Sequence, residues 1–168
     1  MGTLPHLVRR DTMLYFLLSI ALVGIDQLVK WWVREAIPLG SSIPFIPHLM
    51  DLTYTQNTGA AFSSFSGMTG LLTLVSLGAS VVVAALLAKN YFPGLWGKLS
   101  LSLILAGAVG NLIDRALLGF VTDMFETTFM DFAVFNVADI CVVVGGFLMV
   151  FYVLFLWDKD KEGGHDPA

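Results

Sequence analysis

The chain has 168 residues, 57 % of them hydrophobic and 13 % charged, with a mean hydropathy of +0.80. Soluble domains carry about 45–50 % apolar and about 25 % charged residues, so this composition excludes an ordinary water-soluble globule and indicates an integral membrane protein. The formal charge of −4 and the lack of a basic run exclude nucleic acid as a partner and leave membrane lipids and membrane-borne molecules.

At about 20 residues per span, the chain has room for four membrane helices and short connections, all in one integral membrane domain over 1–168. The expected fold is an all-α membrane protein: four transmembrane helices and a small β-rich extracytoplasmic element in the first outer loop. Residues 1–11, with Arg9, Arg10 and Asp11, lack apolar periodicity and read as a tail. The first span covers about 13–33. It is long, and it carries Asp26 and Lys30 one helical turn apart, able to pair, so it is a retained span rather than a cleaved signal peptide. Trp31 and Trp32 mark its interfacial end.

Over 37–67, Pro38, Gly40, Pro44 and Pro47 rule out a continuous helix, and the β-branched and apolar content predicts short strands. A polar, then small-residue run from Tyr54 to Phe62 suits a tight turn. The second span covers about 68–88 and the third about 99–118, joined by a turn containing Pro93 and Gly94. Residues 119–134 form the second outer loop, with a short interfacial helix expected between Phe125 and Phe132. The fourth span covers about 135–157, and the polar end DKDKEGGHDPA is expected to be disordered.

Lysine and arginine counts orient the chain. The N-terminal tail, the 89–98 turn and the C-terminal tail hold Arg9, Arg10, Lys89, Lys98, Lys159 and Lys161; the other connections and their helix ends hold Lys30, Arg34 and Arg115. Both termini therefore belong to the cytoplasmic side. This places Asp26, Lys30, Asn57, Asn111, Asp114, Arg115, Asp123, Asn136 and Asp139 all toward the extracytoplasmic side, where they can converge. Ionisable groups at the bilayer centre cost on the order of 3 kcal/mol or more, and so are kept when paired or when they do work.

Asp123 and Asp139 are separated by a loop and the first turn of a helix, a spacing that can turn two carboxylates toward one point. In a low dielectric such a pair shares a proton: one member activates water, the other protonates the leaving group. An equally open alternative makes Asp123 a surface residue and pairs Asp139 with Arg115. Asn111, Asp114 and Arg115 lie on one helix face, where Asp114 and Arg115 could neutralise each other or snorkel to the headgroups; Asn136 stands where an N-cap is wanted. Asp26 with Lys30 could be a local ion pair alone. His6, His48 and His165 show no metal-ligand spacing, Cys141 reads as a small buried hydrophobe, and Asp51, Glu126 and Asp131 read as solvated loop carboxylates. No metal or other cofactor is expected.

Four blocks of the sequence resemble, in order, the signature blocks of the lipoprotein signal peptidase (signal peptidase II) family: TQNTGAAFS from Thr55, GAVGNLIDR from Gly107, GFVTD from Gly119 and FNVAD from Phe135. The resemblance implies an intramembrane aspartyl endopeptidase of the bacterial cytoplasmic membrane, which removes the signal peptide of a prolipoprotein just before its diacylglyceryl-modified cysteine. It implies Asp123 and Asp139 as the catalytic pair, Asn57, Asn111, Arg115 and Asn136 as polar residues bordering the site, and Asp26, Lys30 and Asp114 as support. The expected partners are a lipid-modified prolipoprotein substrate and membrane lipids, with the chain acting as a monomer. The competing reading is a small proton- or ion-coupled transporter, since intramembrane Asp, Asn and Arg also build ion paths. A transporter would distribute polar groups through the whole membrane depth and commonly contain repeats, which this chain lacks.

Overall fold

The computed structural model describes residues 10–59 and 68–162. Outside these lie the N-terminal tail as far as Arg9, the second half of the Thr55–Ser63 block with the rest of the first outer loop, and the last six residues, so the expectations for His6 and His165 fall there too. Within the described residues four helices are long and apolar enough to cross a bilayer: α1 (Arg10–Ala36), α2 (Thr69–Ala88), α3 (Gly94–Leu118) and α4 (Val137–Phe155). None contains a proline. Pro38 lies just beyond α1 and Pro93 just before α3, so the residue that would break a helix is used to bound one. The helix α3 stops at Gly119, which takes a left-handed φ of 80° and donates its N–H to the Arg115 carbonyl.

Two of the strands lie where the β-rich segment was expected, β1 (Ser42–Ile46) and β2 (Met50–Asn57). The third, β3 (Val121–Thr127), replaces the interfacial helix expected near Phe125. The sheet order is β1-β2-β3 and both pairings are antiparallel, with Thr55 opposite Asp123 and Asn57 opposite Val121. The physical reason is the edge of β2: its unpaired N–H and C=O groups need a partner, and VTDMFET is β-branched and aromatic enough to supply one. The second departure is at the C-terminal end, where Trp157–Glu162 form a short helix, α5, in place of the expected disorder.

Burial runs opposite to that of a soluble protein. Large apolar side chains such as Leu14, Ile20, Leu74, Phe147 and Leu154 are exposed, as lipid-facing residues would be, while Lys30, Asp26, Asp114, Asn136 and Thr122 are among the most buried in the chain. An apolar cluster of Val33, Ile37, Leu52, Tyr54 and Met124 seats the sheet on the end of α1. A second, of Leu87, Leu101 and Leu105, joins α2 to α3 with Tyr15 and Phe16 of α1 against it.

The helix α3 packs most extensively on α4, and glycine permits the approach. A Cβ on Gly107 would overlap the Ala138 carbonyl oxygen and crowd Val142, and one on Gly110 would reach Asp26 Oδ2 at 2.7 Å. By contrast, Gly78 of α2 has nothing within 4 Å of the same position. Gly107→Ala is expected to destabilise by about 1–3 kcal/mol, the usual cost of overpacking, whereas Gly78→Ala should leave the unfolding temperature in detergent unchanged or raised. Equal melting temperatures for the two variants would contradict this account of the α3–α4 contact.

Candidate active site

The site begins with a buried cation. Lys30 Nζ is fully enclosed and lies 2.9 Å from Asp26 Oδ2, 3.6 Å from Asp114 Oδ2 and 2.9 Å from Asn111 Oδ1. Asp26 and Lys30 therefore do pair along one face of α1, and α3 adds two further acceptors. The acids reach onward. Asp26 Oδ1 accepts the backbone N–H of Ala138 at 2.9 Å, one of the amides at the start of α4 that has no partner within the helix. Asp114 Oδ2 accepts the N–H of Thr122 at 2.9 Å, which fixes the start of β3. Thus Asp114 is committed to Lys30 and to the backbone of β3, and it forms no ion pair with Arg115.

Asn111 transmits this arrangement to the carboxylates. Its Oδ1 accepts from Lys30 Nζ and, at 3.2 Å, from Asn136 Nδ2, and both of those groups are donors only. The Asn111 amide nitrogen must then face the other way, where it donates to Asp139 Oδ1 at 2.8 Å.

Asp123 and Asp139 come together through the junction between β3 and α4. Phe125 and Phe135 exchange backbone hydrogen bonds, so the chain folds back on β3 immediately before α4 begins. This sets Asn136, the N-cap of α4, between the two acids. Asn136 and Asp139 form a reciprocal capping box: Asn136 Oδ1 accepts the Asp139 N–H at 3.0 Å, and Asp139 Oδ2 accepts the Asn136 N–H at 3.1 Å. The Asn136 side-chain nitrogen donates to Asp123 Oδ1 at 2.6 Å. Asn57, at the end of β2, donates to Asp123 Oδ2 at 3.0 Å and accepts the Gly59 N–H. Asp123 is 3 % exposed, so the surface reading of this residue fails. Burial pushes its carboxyl up to about 6, and the nearby Asp139 carboxylate pushes the same way against the hydrogen bonds from Asn136 and Asn57.

Arg115 does not pair with Asp139 either. Its Nη2 donates to the Gly59 carbonyl at 3.2 Å, and its buried Nε has no hydrogen-bond partner among the described residues. All nine sequence-derived site residues lie at the sheet end of the helices: Asp26, Lys30 and Asp114 form a buried base, and Asn57, Asn111, Arg115, Asp123 and Asp139 line a cleft of about 580 Å³, with Asn136 between the acids. Much of the wall of that cleft is apolar, built from Ala108 of α3 and Ile140, Val142, Val143 and Val144 of α4. Among the described residues no group of three or more His, Cys, Asp or Glu side chains is arranged to hold a metal ion.

Sequence reasoning missed Gln27. Its side-chain nitrogen lies 3.1 Å from Asp26 Oδ2, the Gly110 carbonyl and Asp114 Oδ1, cross-linking α1 to α3. The signal was present, since Gln27 sits one turn before Lys30 in the polar end of the first span. Thr122 was also missed: its hydroxyl accepts from Arg34 Nη1 at 3.0 Å while its N–H holds Asp114.

Fold and site together have the form of a membrane-embedded peptidase with paired carboxylates. The comparisons agree. The family model described as signal peptidase (SPase) II matches residues 18–155. The lipoprotein signal peptidase of Enterococcus faecalis is 44 % identical over 154 residues, spanning 92 % of this chain and 96 % of that one. That of Streptococcus thermophilus is 46 % identical over 149 residues, spanning 87 % and 93 %. Two solved structures, both described as a bacterial membrane enzyme determined by the in meso method, superpose with TM-scores of 0.79 and 0.78 at 29 % identity. They cover 92 % and 90 % of this chain and 93 % and 99 % of their own. The chain belongs to the signal peptidase II family.

Removing the buried cation tests the base of the site. Lys30→Met leaves Asp26 and Asp114 enclosed without their counter-charge, a loss of roughly 3–5 kcal/mol, and frees Asn111 to turn its amide. The expected result is a markedly lower unfolding temperature in detergent together with loss of activity. A variant as stable and active as the parent would show that Lys30 supports neither.

Proposed function

We propose that this protein is the endopeptidase that removes the signal peptide of prolipoproteins, cutting before the diacylglyceryl-modified cysteine, with Asp123 and Asp139 as its catalytic pair. The observation that carries the reading is the cleft that both acids line together with aliphatic side chains of α3 and α4. A signal peptide and a diacylglyceryl group are themselves membrane-borne, so their cleavage requires carboxylates at the edge of an apolar, laterally reached space. Membership of the signal peptidase II family supports the reaction class and lends nothing to a transporter. The clustering of polar groups at one end of the helices supports it as well, because an ion path needs them throughout the membrane.

The chemistry follows from the two environments. Asp123, with its carboxyl raised to about 6, is the member that carries the shared proton. Asp139 is the base: it takes a proton from water, whose oxygen attacks the scissile carbonyl carbon. Asp123 gives its proton to the leaving nitrogen as the C–N bond breaks, yielding a new carboxylate on the signal peptide and the free amine of the lipid-modified cysteine. Asn57 and Asn136 hold Asp123 from both of its oxygens, and Asn111 holds Asp139. Arg115 lines the cleft, and its guanidinium is the donor for a carbonyl of a substrate whose helix has been unwound, a group that lipid cannot satisfy.

The cationic connections support an orientation with both termini in the cytoplasm and the sheet outside, so that the cleft opens at the outer leaflet. The proposed working form is a monomer.

Asp123→Asn and Asp139→Asn, each expressed at the parent's level, should leave a lipid-modified prolipoprotein uncut; normal processing by either would remove the paired-acid mechanism. The pH dependence has a defined sign. Because Asp123 must be protonated, kcat/KM should fall as pH rises through about 6, while the kcat limb lies higher because bound substrate excludes water from the acid. A kcat/KM that climbs between pH 6 and 8 would assign the proton elsewhere.

A further inference from the structure

Asp123 also lines a second cavity, of about 500 Å³, to which Val142, Val143 and Val144 do not contribute. The two spaces share Asn57, Asp123 and the 132–134 segment, so they meet at the proposed proton carrier. Their walls differ in origin. The first is built largely from α3 and α4, at the depth of the bilayer. The second takes nothing from any spanning helix: it is bounded by Thr55 and Gln56 of β2 and by Asp131 and the residues after it, all in the outer loops. Among the described residues its charged lining consists of Asp123 and Asp131, both acids.

We propose that this second cavity is the subsite for the first residues of the mature polypeptide, and that Asp131 makes it favour basic over acidic side chains there. The proposal rests on the peptidase reading above. A precursor has two unlike halves joined at the scissile bond, an apolar membrane-bound signal peptide and a polar chain that continues outside the membrane. Two unlike spaces joined at Asp123 match them. With the signal peptide along the valine wall, the residues after the cysteine leave past β2, where the exposed Gln56 offers an amide to an extended backbone. An acidic residue there meets Asp131, and a basic one is attracted to it. Cleavage also creates an amine at this point, and the same acidic lining accommodates it as the cation.

The test uses the purified full-length protein and three diacylglyceryl-modified precursors that carry Lys, Ser or Asp at the second and third positions after the cysteine. For the parent, kcat/KM should rank Lys above Ser above Asp, with about two- to fivefold between the extremes, the scale of an exposed charge pair. The gap should narrow at high salt. Asp131→Lys should invert the Lys to Asp ratio and Asp131→Asn should bring it near one; because the ratio is internal to each variant, a general loss of activity does not obscure it. If Asp131→Lys cuts nothing, Asp131→Asn decides. A parental ratio retained in the variants overturns the subsite and leaves the cavity as a passage for water. If the parent cuts none of the three precursors, or Asp123→Asn cuts them equally well, the peptidase reading itself has failed and the subsite falls with it.

Discussion

A single ammonium group with no access to water organises this protein. Lys30 is held by Asp26 and Asp114 and by the Asn111 side chain, and the desolvation of such a cation is tolerable only when every donor is matched. Meeting that demand draws in the remaining elements. Asp26 reaches the first turn of α4 through the Ala138 N–H, Asp114 reaches β3 through the Thr122 N–H, and Gln27 bridges α1 and α3. Three helices and a strand are thus fixed to one polar centre in a molecule whose outer surface offers them only lipid. The hydrophobic effect contributes little to holding helices together in a bilayer, so packing at small residues and buried polar contacts take over. Gly107 and Gly110 are the packing half of that arrangement, bringing α3 close enough to α4 for the polar half to form.

The two carboxylates depend on the same centre at one remove. Asn111 can present its amide to Asp139 because Lys30 and Asn136 occupy its oxygen. Asn136 does two jobs with one side chain, capping α4 and donating to Asp123. A helix start is a place where backbone N–H groups lack partners, and here it is used to position both acids. The raised carboxyl of Asp123 is then a result of burial beside Asp139. The environment that raises this carboxyl is one in which its ionised form is costly.

Much of this arrangement is legible in the amino-acid sequence. Asp26 and Lys30 at one-turn spacing and Asn136 at the head of an apolar run each carry a local rule that the fold obeys. Gln27 escapes such a reading because a neutral amide in a polar helix end has no signature until its acceptors are known, and those lie more than 80 residues away. Pairing Arg115 with an acid is a reasonable local expectation, but Lys30 and the backbone of β3 take Asp114 instead. The strand β3 departs from expectation for a related reason: its partner, the edge of β2, lies far away in the chain.

The sequence by itself determined the four spans and the set of polar residues at one end, because apolar run length and charge placement act locally. Only the tertiary structure decided how those residues divide. It put Lys30, Asp26 and Asp114 beneath the site, Asn57, Asn111 and Asn136 around the acids, and Asp123 where two cavities meet. That division depends on contacts between residues far apart in the chain, whose geometry is set by helix packing and strand pairing.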